Sequence, residues 1–139
     1  MKRLLLATAG ALMISAPVVA QMTDYSDLIR TRDITGGTIY TMNASYDEGS
    51  WGTDPYYTSA DTEWNDIGEI EDVILNREGK MVGIVAEIGG FLDIGDKHVM
   101  LPVEDVKLVA VDDKSYSYVT RLSEEQLEEL ESVDEAWWN

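Results

Sequence analysis

Between Asp66 and Val111 the chain is a succession of β-branched runs cut short by glycine and turn residues, and that pattern leaves little room for anything but short strands. The run Ile67-Gly68-Glu69-Ile70-Glu71-Asp72-Val73-Ile74-Leu75 enters Asn76-Arg77-Glu78-Gly79-Lys80, where Asn and Gly supply turn chemistry. Met81 to Ile88 follows, with Val82, Ile84, Ala86 and Ile88 spaced by two. The spacing predicts an antiparallel hairpin.

Gly89-Gly90 interrupts the alternation, and Phe91-Leu92-Asp93-Ile94-Gly95-Asp96-Lys97 mixes large apolar residues with turn formers, as at a barrel corner. His98 to Val103 resumes it, with Val99, Leu101 and Val103 on one face. Pro102 donates no ladder hydrogen bond, so this strand is an edge or ends there. Val106 to Val111 and Tyr116 to Thr120 are two more candidates, and Ile34 to Thr41 reads as a strand entered through the Gly36-Gly37 turn. Five or six short strands with glycine corners and no long helix predict an all-β fold, a small closed barrel.

One short helix is signalled near the end. Ser123 caps it, Gln126 completes a capping box, Leu122 staples to Leu127, and Leu127 with Leu130 forms a narrow apolar stripe. Acidic residues at Glu131, Asp134 and Glu135 oppose the helix dipole, which predicts fraying near Ser132. At the other end, Lys2-Arg3, an apolar run from Leu4 to Ser15, Pro17 and Val18-Val19-Ala20 are expected to form a cleaved secretory signal ending before Gln21. Leu4 to Ala20 is at the bottom of the length range for a bilayer span and contains a proline, so no stable membrane insertion is expected after cleavage.

Charge and composition exclude more than they propose. With no cysteine there is no disulfide, thiolate metal site or cysteine nucleophile, and a single histidine excludes a multi-histidine site within one chain. A net charge of -17 repels phosphate backbones, so nucleic acid is not an expected partner.

The segments Ile67-Gly68-Glu69-Ile70-Glu71-Asp72-Val73, Gly79, Gly89-Gly90-Phe91-Leu92-Asp93-Ile94-Gly95 and Val99-Met100-Leu101-Pro102-Val103, in this order, resemble the PRC-barrel domain. This is the small β-barrel found in the photosynthetic reaction-centre H subunit and in ribosome-maturation factors, and Val119 to Ser123 resembles the extension of its secreted members. The resemblance implies a barrel from roughly Leu28 to Val111 and a role as an interaction or assembly module. It carries no catalytic residue set and no cofactor. The expected organisation is a signal peptide over 1–20, a PRC-barrel domain over 21–118 that includes an insertion at 43–65, and an acidic tail with a short helix over 119–139. The family usually has a shorter link where this insertion lies.

The insertion holds the densest functional signal. Tyr46, Trp51, Tyr56, Tyr57 and Trp64 are five of the chain's twelve aromatic residues, and Trp51, Tyr56, Tyr57 and Trp64 are the candidate contacts for a protein partner. The competing reading, preferred for most of them, is a mini-core folded back over the barrel. Asp47-Glu48-Gly49 with Asp54, Asp61-Glu63-Asp66, and Asp93 with Asp96 offer oxygen ligands, but none has the spacing of a calcium loop, and a solvated acidic surface is the preferred reading. His98 is read as a strand-end hydrogen-bonder, and Gly89-Gly90 as backbone geometry instead of a phosphate loop. The expectation is a non-catalytic exported interaction module of the periplasm or cell envelope, with no catalytic, metal or cofactor residues. A calcium-responsive structural domain is the alternative, and a small hydrolase comes third.

Overall fold

The computed structural model describes residues 10–12, 24–90 and 95–139. The expected signal sequence, apart from 10–12, the expected start at Gln21 and the Phe91–Ile94 corner lie outside the described residues. Six strands form one sheet: β1 (Thr38–Thr41), β2 (Asn65–Leu75), β3 (Met81–Ile88), β4 (Lys97–Pro102), β5 (Val106–Ala110) and β6 (Tyr116–Thr120), in the order β4-β3-β2-β1-β6-β5. The β2–β3 hairpin and the antiparallel β3–β4 and β5–β6 pairs follow the alternation in the sequence. The parallel pairing of β1 with β6, which sets Ile39 against Tyr118, closes across most of the domain and has no local signal.

The ladder is open, with β4 and β5 as its edges. They are joined by the single turn Val103–Asp105. Closure comes from packing: Ile39, Ile70, Ile84, Ile88, Val99, Leu101 and Val106, drawn from five of the strands, bury in one core with Tyr118 of β6. Removing each such aliphatic side chain from water stabilises the fold by about 1.5–3 kcal/mol. Pro102 both lies on an edge strand and ends it, and Val103 turns out to solvent, 42% exposed, instead of continuing the inward face. Thr41 is fully buried with its hydroxyl donating to the Leu122 carbonyl at 2.6 Å, so its polar atom has a partner.

Gly68 lets β2 lie close against β3. Its φ is +149°, and a Cβ there would strike the Glu87 carbonyl of β3, so no other residue fits without moving backbone.

The C-terminal helix forms as its signals require. Helix α2 (Glu124–Glu129) carries both hydrogen bonds of the Ser123/Gln126 capping box, and Leu127 is fully buried in the main core. Two short helices were not expected: α1 (Glu48–Thr53), capped by Asp47, and α3 (Glu135–Trp138), capped by Asp134. Strand β6 also runs across position 118, where the sequence pattern places the start of the tail.

Candidate partner surface

The segment between β1 and β2, where the insertion was expected, folds against Val119 of β6 and Val109 of β5. Asp47 accepts hydrogen bonds from the Ser50 amide at 3.2 Å and its hydroxyl at 2.8 Å, which starts α1 and turns Trp51 inward. These bonds, the hydroxyl one foremost, hold the Asp47 carboxyl below its ordinary range. Trp51, 7% exposed, packs with Met42, Val109 and Val119 into a second core. Lys107 fixes it further, with its ammonium 4.8 Å above the indole and donating to the carbonyls of Trp51 and Asp54.

Tyr57 ties the insertion to the sheet. Its amide donates to the Leu108 carbonyl and its carbonyl accepts from the Ala110 amide, each at 2.9 Å, so it extends the β5 edge by one parallel bridge. Its ring meets Trp64 edge-on, centroids 5.0 Å apart, and Trp64 in turn lies 6.3 Å from Tyr40. Burial first, then the charge of Asp54, pushes the Tyr57 phenol above its ordinary range.

Of the four candidate contact residues, Trp51 is buried, Tyr57 and Trp64 are half-buried against the second core, and Tyr56 is 54% exposed. The structure places Tyr56 beside apolar residues that the sequence pattern did not single out. Tyr25 is 79% exposed, Leu28 56% and Ile29 38%, on a segment wound by two 3-10 turns. A groove of about 690 Å³ runs between this segment and Tyr116, and a second of about 670 Å³ continues from Ile29 past Tyr116 to Tyr56 and Leu108. Asp33, Asp112 and Asp113 rim them, with Arg30 already paired to Asp33 at 2.7 Å. Apart from Tyr56, the signal for this surface was present in the sequence as Leu28-Ile29, two adjacent apolar residues within a polar stretch.

The acidic stretches serve the backbone. Asp47 caps α1, Asp61 accepts from the Glu63 amide at 2.8 Å and Asp66 from the Gly68 amide at 3.0 Å. Asp93 lies outside the described residues. His98 sits within β4, opposite Glu87 of β3.

Among the described residues, no helix is long and apolar enough to cross a membrane. The sequence model of the PRC-barrel domain family matches residues 57–125, from the Tyr57 bridge through β2 to β6 and into α2, leaving β1 outside the matched stretch. No curated protein matches the chain.

Proposed function

Because residues 57–125 are a PRC-barrel domain, a small domain of the kind that serves as an interaction module, we propose that this protein is a non-catalytic docking module, exported to the periplasm or cell envelope. The observation that carries the reading is the exposed apolar rim of Tyr25, Leu28, Ile29 and Tyr56 around two connected grooves. Contiguous exposed apolar groups edged by polar ones mark protein contacts, and aromatic residues contribute most there. The carboxylates of Asp33, Asp112 and Asp113 on the rim suit a protein partner that brings apolar side chains in a basic frame. The basic, apolar and small-residue order of residues 2–20 supports export.

The test is capture of a partner from an envelope fraction by wild type and by a Leu28→Ser/Ile29→Ser/Tyr56→Ser variant. Recovery is expected to fall at least about tenfold while the melting temperature stays close to wild type, since exposed side chains contribute little to folding. Equal recovery by the two proteins removes the grooves as the docking site.

A further inference from the structure

We propose that Glu71, Glu87 and His98 form a binding site for a first-row divalent transition cation, with zinc as its representative, on the outer face of the β2–β3–β4 meander. The three side chains come from three adjacent strands, and one ligand atom of each lies within 4.8 Å of the others. The pleat sets two of the directions: Ala86, Ile88 and Val99 point into the core, so Glu87 and His98, their neighbours along the chain, point out.

Glu71 owes its place to a break in the ladder. Ile70 pairs with Ala86 and Asp72 with Val85, which leaves Glu71 as the extra residue of a β-bulge. Bulges bend a strand and re-aim a side chain. Here the re-aimed side chain is a carboxylate directed toward a Glu–His pair.

The Glu87–His98 geometry also fits a shared metal. His98 Nε2 stands 3.4 Å from Glu87 Oε2, beyond the usual span of an N–H···O bond. Two donors on a tetrahedral zinc, with bonds of about 2.0–2.2 Å, stand about 3.4 Å apart. The imidazole distinguishes this cluster from the purely acidic loops and favours a borderline cation such as zinc over calcium.

Charge points the same way. Glu69 is paired directly across from Glu87, an arrangement of like charges that costs stability. Lys97, the cationic neighbour of His98, sends its ammonium instead to the carbonyls of Glu128 and Leu130 at 2.8 and 2.6 Å. A dication at the three ligands offsets the carboxylate charge that Lys97 does not reach. The C-terminal tail is tied down beside His98: the Val133 amide donates to the His98 main-chain carbonyl at 2.9 Å, and the Trp138 ring lies 5.5 Å from the imidazole. Trp138 is therefore a built-in optical reporter of what binds there.

The experiment titrates the full chain, stripped with chelator, with zinc alone and with calcium alone, following heat and tryptophan emission. One zinc per chain is expected, with an emission change, and binding weakened at least about tenfold in both His98→Gln and Glu71→Gln. Calcium at the same concentration is expected to leave zinc binding unchanged. Glu71→Gln preserves the shape of the bulge and decides the matter if His98→Gln unfolds. Zinc affinity within about twofold of wild type in Glu71→Gln, or displacement of zinc by equimolar calcium, overturns the proposal.

Discussion

In the β2–β3–β4 meander, apolar side chains reach the core because the ladder delivers every second one there; in the insertion between β1 and β2, Trp51, Tyr57 and Trp64 reach theirs with a single bridge at Tyr57. The meander would keep its inward face under many conservative changes, since register fixes the direction of each residue. The insertion depends on individual anchors: the Asp47 cap, the Lys107 clamp and the edge-on contact of Tyr57 with Trp64. An aromatic-rich loop can thus serve as a second core, while the exposed apolar rim lies next to it, built from Tyr56 and a separate stretch of chain.

The comparison is sharpened most by deletions at its two centres. Ile84→Ala in the meander, where the side chain is fully buried, is expected to cost about 4 kcal/mol in urea unfolding. Trp51→Ala is expected to cost about 3 kcal/mol, somewhat less because the loop over it can settle into part of the space. A loss under about 1 kcal/mol for Trp51→Ala would break the comparison, leaving the insertion as a surface appendage.

Gly90→Val probes the corner where the meander turns. Gly90 has φ +78°, a conformation that side-chain-bearing residues rarely adopt, so the substitution is expected to cost about 2 kcal/mol in a thermal melt. No change would place the corner strain elsewhere.

The smallest effect concerns the insertion's electrostatic anchor. The folded-state pKa of Asp47 lies below its ordinary 3.8, so its cap stabilises the fold above that value and is lost as pH falls through the depressed one. Asp47→Ala should therefore melt below wild type at neutral pH, and the gap should close only under acid conditions below 3.8. A gap independent of pH down to about 2 would show that the charge of Asp47 has no part in the cap.

What the sequence made legible tracks how local the physics is. The β2–β3 hairpin announces itself through period-two apolar residues and the Asn76–Lys80 turn, and α2 through Ser123 and Gln126, because each signal lies within a few residues of its effect. The β1–β6 pairing joins distant segments whose edges carry no mark of their partner. Helices α1 and α3 span 6 and 4 residues, too short for an apolar period to show. Burial of Trp51 could be posed but not decided from sequence, since the same aromatic residues suit a core and a contact surface equally. The Glu71–Glu87–His98 cluster needs three strands in register and a bulge, and no spacing along the chain encodes it.

The most direct measurement of the central claim, that the insertion is a docked second core and not a free partner loop, is amide hydrogen exchange at Tyr57 and Ala110. Both amides are bridge donors, Tyr57 to Leu108 and Ala110 to Tyr57, so both should exchange as slowly as the paired amides within β5 and β6. Exchange of the Tyr57 amide at the rate of an unprotected loop, with β6 still protected, would contradict it.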